Sequence, residues 1–317
     1  MTDDRHGPLC VLGMGLIGGS LLRAAVAEGY QAWGYNRSAA GVQAARGDGF
    51  DVTDDLAAAL SRAADNAALI VVAVPMPAVE SMLSAVAEYA PGCAVTDVVS
   101  VKAPVLSAVR GHGLGDRFVG GHPMAGTAAS GWPATDPELF RGAAWAVGVD
   151  EGTQPEPWTR VVRLALDCGA TVVPVVAEEH DRAVARISHL PHVLAEALAL
   201  AGAGGGELAL GLAAGSFRDG TRVAGTAPDL VRAICEPNAT ALLDVLDETL
   251  TVLSAARDLL EEDGSLADLA EAGHAARGRY EANERWEITD IDPGGRNWLE
   301  RLRTAGQRGG VITCLAG

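Results

Sequence analysis

The chain of 317 residues is long enough for two domains, each with a core of its own. Its 24 Lys+Arg against 41 Asp+Glu leave a formal net charge of -17, which repels a phosphate backbone and argues against nucleic acid as a partner. With 49% hydrophobic residues, no apolar run of the roughly 20 residues a membrane span needs, and five scattered cysteines in no C-x-x-C pattern, the expectation is a globular cytoplasmic protein away from membranes.

In chain order two textures follow one another. Up to about Val176, apolar runs alternate with Ala-rich helical stretches, the pattern of βαβ units feeding a parallel sheet. The runs are Leu9 to Leu12, Ala32 to Tyr35, Leu69 to Val74, Ala94 to Val99, Phe118 to Gly121, Ala144 to Val149 and Thr171 to Val176. Beyond them, helical patterns continue to about Arg285. Between Ala239 and Leu260 a stripe of Leu243, Leu246, Leu250, Leu253 and Leu260 recurs at helical spacing. The tail from Trp286 reads as loop plus one short helix. These textures divide the chain into residues 1–176, 177–285 and a tail of 286–317.

Gly13-Met14-Gly15-Leu16-Ile17-Gly18 stands directly after the first run and opens a helix, the context in which G-x-G-x-x-G binds a dinucleotide. Gly13 permits the turn, Gly15 lets the backbone approach a pyrophosphate, Gly18 allows close helix packing, and the N–H groups of the helix start face the phosphates. After the second run, where such folds place an acid on the adenosine ribose, stands Asn36-Arg37-Ser38. A neutral Asn36 does not repel a 2′-phosphate, and Arg37 and Ser38 can bind one, so the cofactor is NAD or NADP with a lean toward NADP. Val74-Pro75 ends the next long run, at the sheet edge where ligands collect.

Lys102 is the only lysine. Two readings stay open for it: orienting polar groups near a nicotinamide, or capping a helix or pairing with an acid. His122, with Gly120 and Gly121 before it and Gly126 beyond it, is a candidate for proton transfer, the alternative being a buried structural histidine. Ser188 and His192 lie four apart on a helix that Pro191 bends. His189 and His192 lack a carboxylate third ligand, so no metal site is expected. Arg222, among small residues, suits an anionic substrate as a carboxylate fork.

Taken together and in order, Gly13 to Ser20, Asp97-x-x-Ser100-Val101-Lys102, Gly121-His122-Pro123-Met124-Ala125-Gly126-Thr127, Ser188-His189-Leu190-Pro191-His192 and Arg218-Asp219-x-Thr221-Arg222 resemble the prephenate/arogenate dehydrogenase family of tyrosine biosynthesis. The resemblance covers about residues 8–285. It implies an α/β fold class, with an N-terminal Rossmann-type parallel sheet domain followed by an all-α dimerisation domain. It also implies a homodimer and an active site in the cleft between domains. The reaction it implies is oxidative decarboxylation of prephenate, or of arogenate, with hydride transfer to NAD(P). In that chemistry His122 takes the ring hydroxyl proton and Ser100 orients its other nitrogen. Arg222 clamps the ring carboxylate, balanced by Asp181 or Asp219, while Ser188, His192 and Thr127 meet the remaining substrate oxygens. Two other readings share the glycine loop: a β-hydroxyacid-dehydrogenase-like reductase using Lys102, and a cofactor-binding sensor without catalysis.

Overall fold

The computed structural model describes residues 6–127, 129–290 and 292–315. The chain divides into two compact units, Met1–His180 with Trp286–Gly317, and Asp181–Arg285.

The first unit begins with β1 (Leu9–Leu12), α1 (Leu16–Ala27), β2 (Ala32–Tyr35), α2 (Ala39–Gly47), β3 (Val52–Thr53), α3 (Leu56–Asp65), β4 (Leu69–Val72), α4 (Met76–Tyr89), β5 (Val95–Asp97), α5 (Ala103–Gly111) and β6 (Phe118–Val119). The six strands form one parallel sheet in the order β3-β2-β1-β4-β5-β6. Residues of β1 and β4 are apolar and buried throughout, because helices cover both faces of the sheet. Successive residues feed opposite cores. Leu9, Val11, Leu69 and Val71 pack with Leu21 and Leu22 of α1, whereas Cys10, Leu12, Ile70 and Val72 pack with Leu60 of α3 and Leu83 of α4. The chain leaves β1 toward β2 on one side and returns to β4 on the other, so the carboxyl ends of β1 and β4 flank the topological switch point.

A second sheet follows, from β7 (Gly121–Pro123), β8 (Ala144–Gly148) and, after α6 (Pro155–Asp167), β9 (Thr171–Val175). Strand β7 runs antiparallel to β8, and β8 parallel to β9. This corrects the expectation of a single parallel sheet and of one strand from Phe118 to Gly121. The physical reason is the close passage at Gly121, where a Cβ would lie 2.6 Å from the Asp97 carbonyl oxygen. The backbone crosses the end of β5 there and pairs onward with β8. Strand β3 also escaped the sequence reading, since two residues make no visible run.

Helix α7 (Ala177–Val184) carries the chain across the boundary into the second unit, four residues beyond the 176/177 division expected. That unit is helical: a π-helical turn at Ala185–His189, then α8 (Leu190–Gly204), α9 (Gly206–Leu212), α10 (Gly215–Thr221), α11 (Pro228–Cys235), α12 (Ala239–Glu262) and α13 (Ala267–Glu281). Val245 and Ala256 are the buried residues of α12, while Leu243, Leu250, Leu253 and Leu260 of the apolar stripe are about half exposed.

The tail, set apart in the sequence reading, belongs to the first unit. It forms β10 (Trp286–Glu287), α14 (Trp298–Gln307) and β11 (Gly310–Val311), and β10 pairs parallel with β11. Ile312 bridges Val172 of β9, and Trp298, Leu302 and Ile312 are buried in the same core as Trp158 and Val172. Burial against residues so distant in sequence leaves no periodic signal, which is why the tail read as an appendage. Among the described residues no single helix is long and apolar enough to cross a membrane.

Candidate active site

The glycine loop occupies the switch point. Gly13 donates its N–H to Tyr35 O at 2.8 Å and sits at φ +113°, and a Cβ there would stand 2.4 Å from Ala73 O. Only glycine fits this left-handed, backbone-tight position. A Cβ at Gly18 would meet Gly13 O at 2.0 Å and the Ala73 side chain at 2.8 Å, so α1 packs directly on the loop. Gly15, by contrast, is exposed with nothing within 4 Å of its Cβ position, and as N-cap of α1 it brings no side-chain cap to the helix start. The first-turn N–H groups of Leu16 and Ile17 therefore face open space with the helix dipole behind them. This cradle fits a dinucleotide pyrophosphate.

At the end of β2, a Cβ on Gly41 would collide at 2.2 Å with Asn36 Nδ2, so the Asn36 side chain lies over the first turn of α2. Ser38 is the N-cap of α2 and accepts from Gly41 N at 3.4 Å. Arg37 is exposed and forms no ion pair among the described residues. Val74 and Pro75 lead into α4, Pro75 as its N-cap.

Lys102 resolves in favour of pairing with an acid. It is buried, its Nζ donates to Asp97 Oδ2 in a close contact and to Gly121 O at 2.7 Å. Asp97 is fully buried, and its carboxylate also accepts from Gly121 N at 3.1 Å and Val99 N at 3.1 Å. Burial pushes the Asp97 carboxyl above the usual carboxylate range, against the pull of Lys102 and these two N–H groups. Both polar groups of Gly121 are thus held by one ion pair, and that pair fixes the start of β7.

His122 follows at once, in register with Ala146 of β8 and half-buried. Its Nδ1 stands 2.8 Å from Nε2 of His180 on α7, the rings 5.0 Å apart at 70°. The second nitrogen expected to be oriented by Ser100 has His180 beside it instead. Ser100 is half-buried just beyond β5, and Thr127 is exposed beyond β7. Sequence reasoning missed His180, which lies in the polar stretch Glu178-Glu179-His180-Asp181-Arg182 and carries no local mark of its partner 58 residues away.

In the second unit, Ser188 lies in the π-helical turn, and Pro191 stands in the first turn of α8. Proline offers no N–H to the carbonyl four residues back, and the wider turn absorbs that loss, so the expected bend is a π-turn. Asn238, which sequence reasoning also passed over, is buried; its Nδ2 donates to Asp181 O at 2.7 Å and stands 3.2 Å from His189 Nδ1. Asp181 is buried, and Arg222 is exposed without an ion pair among the described residues, so Asp181 does not balance it as a contact pair. His192 keeps a buried Nδ1 with no hydrogen-bond partner among the described residues.

The family model described as prephenate dehydrogenase, nucleotide-binding domain, matches residues 23–174, and that described as prephenate dehydrogenase, dimerization domain, matches residues 176–272. The chain belongs to the prephenate dehydrogenase family.

A cyclohexadienyl dehydrogenase of Zymomonas mobilis is 32% identical over 274 residues, covering 83% of this chain and 92% of that protein. Among solved structures, a Corynebacterium glutamicum chain provisionally named prephenate dehydrogenase is 50% identical with TM-score 0.93, over 96% of this chain and 98% of its own. Synechocystis arogenate dehydrogenase is 30% identical with TM-score 0.74, over 86% and 99%. As a member of the prephenate dehydrogenase family the chain is an NAD(P)-dependent dehydrogenase, which sets aside the sensor and the β-hydroxyacid-dehydrogenase readings. Its fold is the Rossmann-like sheet unit and helical unit that the resemblance implied.

Proposed function

We propose that this chain oxidatively decarboxylates prephenate to 4-hydroxyphenylpyruvate, with His122 as the base. The observation that carries the reading is the placement of His122: fixed at its backbone by β7–β8 pairing and the buried ion pair at Gly121, half-exposed, in the unit that bears the dinucleotide loop. When bound, a nicotinamide would supply the acceptor for the hydride at C4. His122 takes the C4 hydroxyl proton as the carbonyl forms. The C1–carboxylate bond then breaks, its electron pair aromatises the ring through to the C4 oxygen, and His122 returns the proton to that phenolate. Atoms and charge balance with CO2 as the leaving group, and no net proton is consumed.

Arg222 is read as the fork for the ring carboxylate, a role consistent with its guanidinium being exposed and in no ion pair among the described residues. Ser188, His192 and Thr127 are read as contacts to the other substrate oxygens. The Nδ1 of His192 supports its assignment, since a buried polar atom without a partner among the described residues suits a ligand. With His180 beside Nδ1 of His122, Ser100 is read here as a contact on the hydroxyl side in place of the orienting role that the resemblance implied. Loss of CO2 and aromatisation make the step effectively irreversible.

Steady-state assays with prephenate and arogenate, each with NAD and NADP, test the reading directly. Turnover of neither substrate would sink it; preference for arogenate would move the product to tyrosine, as the name of the Synechocystis relative suggests. The cofactor reading is NAD or NADP with the lean toward NADP, because Asn36 brings no charge against a 2′-phosphate and Arg37 forms no ion pair among the described residues. Asn36→Asp should reverse the preference by about 1 to 3 kcal/mol of differential binding. A wild type preferring NAD tenfold or more, with Arg37→Ala leaving NADP kinetics untouched, would overturn it.

A homodimer is proposed through the second unit. The half-exposed leucines of α12 present more apolar surface than a lone helix leaves in water. Sedimentation at micromolar concentration is expected to show a dimer; a fully active monomer would assign those leucines to an ordinary surface.

A further inference from the structure

We propose that His180 is the positioning residue of His122, holding its ring in the tautomer that leaves Nε2 bare. The inference rests on His122 acting as the base.

Two ring nitrogens 2.8 Å apart require one proton between them, since two lone pairs repel and two N–H groups collide. The rings meet at 70° with centroids 5.0 Å apart, an edge contact rather than a stack. Both partners are anchored by their backbones: His122 is paired across β7–β8 opposite Ala146, and His180 N donates to Val176 O at 2.9 Å as α7 begins. The His180 ring is almost wholly buried, so water does not compete for the contact.

The direction of that proton decides whether His122 can react. If His180 Nε2–H donates to His122 Nδ1, a neutral His122 carries its proton on Nε2 and has no site for another. If His122 Nδ1–H donates to His180 Nε2, then Nε2 of His122 is bare and accepts the C4 hydroxyl proton. The reaction needs the second arrangement, so His180 serves as acceptor and stays neutral. A neutral imidazole suits this chemistry better than a carboxylate. A carboxylate would stabilise the imidazolium strongly and hold the proton, whereas here the proton must go back to the phenolate oxygen.

The test begins with nitrogen NMR of ¹⁵N-histidine-labelled protein, the His122 signals being assigned by their loss in His122→Asn. The expected result is a protonated Nδ1 and an unprotonated Nε2 on His122 in the wild type. In His180→Leu that tautomer should be lost and kcat should fall about tenfold or more with KM unchanged. His180→Gln, whose side-chain oxygen accepts the same N–H, should restore the tautomer and most of the lost kcat. An Nε2-protonated His122 in the wild type would overturn the proposal, as would kcat within twofold in His180→Leu, or equal losses in the two variants. The tautomer is read without turnover. An inactive wild type with the expected tautomer would therefore refute the functional reading, whereas an active wild type with the other tautomer would refute only the role of His180.

Discussion

Exchanging His122 for asparagine is expected to lower kcat by about a hundredfold or more while KM for the substrate changes little. Asparagine keeps a polar side chain of similar reach but cannot take a proton at neutral pH. The backbone at this position is set by β7–β8 pairing and by Gly121, so the substitution removes the base without moving the strand. Binding contacts to the substrate remain, which is why the loss falls on kcat. The wild-type rate should decline on the acid side, because a protonated His122 has no free acceptor, and that limb should vanish from the residual activity of His122→Asn. Near-normal turnover in the variant would remove histidine from the mechanism.

Lys102→Met is expected to cost about 3 to 5 kcal/mol of stability, the usual penalty for stranding one partner of a buried ion pair. Methionine matches the aliphatic stem, so the loss belongs to Asp97, which is fully buried and already pushed upward by desolvation. Without the ammonium its folded-state pKa rises further above the unfolded value. A carboxyl of that kind gives stability below the unfolded pKa that disappears as pH rises through the folded pKa. The deficit should therefore be smallest near about pH 4 and grow toward neutrality. Denaturant midpoints measured across that range check both size and slope. A variant of unchanged stability with weakened cofactor binding would return Lys102 to the nicotinamide side of the site.

What could be read from sequence follows the range of the forces involved. Leu9–Leu12 and Ala32–Tyr35 are strands with the limits their apolar runs suggested, because burial on both faces marks every residue of the first and the two middle residues of the second. Helix α12 likewise shows in its leucine spacing. Gly13, Gly15 and Gly18 were legible because backbone conformation and close approach are local demands. The break between β6 and β7 was not, since it depends on Gly121 meeting Asp97 across the sheet end. His122 announced itself by residue type and by its place among glycines at the end of an apolar run. Its partner His180 did not, and neither did Asn238, whose role depends on reaching Asp181 and His189 from far along the chain.

The split composition of the first unit bears on how the protein is made. On the ribosome the residues from Trp286 emerge only after all of Asp181–Arg285, a delay on the order of 5 to 20 s at ordinary elongation rates. During that interval the nascent sheet unit can pair its six parallel strands, but Trp158 lacks the Trp298 ring that later packs 5.4 Å from it, and β9 lacks the Ile312 bridge. An apolar flank therefore stays open to water, and to chaperones or neighbouring chains, until the residues from Trp286 have emerged. Folding of this unit is completed by a segment made after the whole of the helical unit.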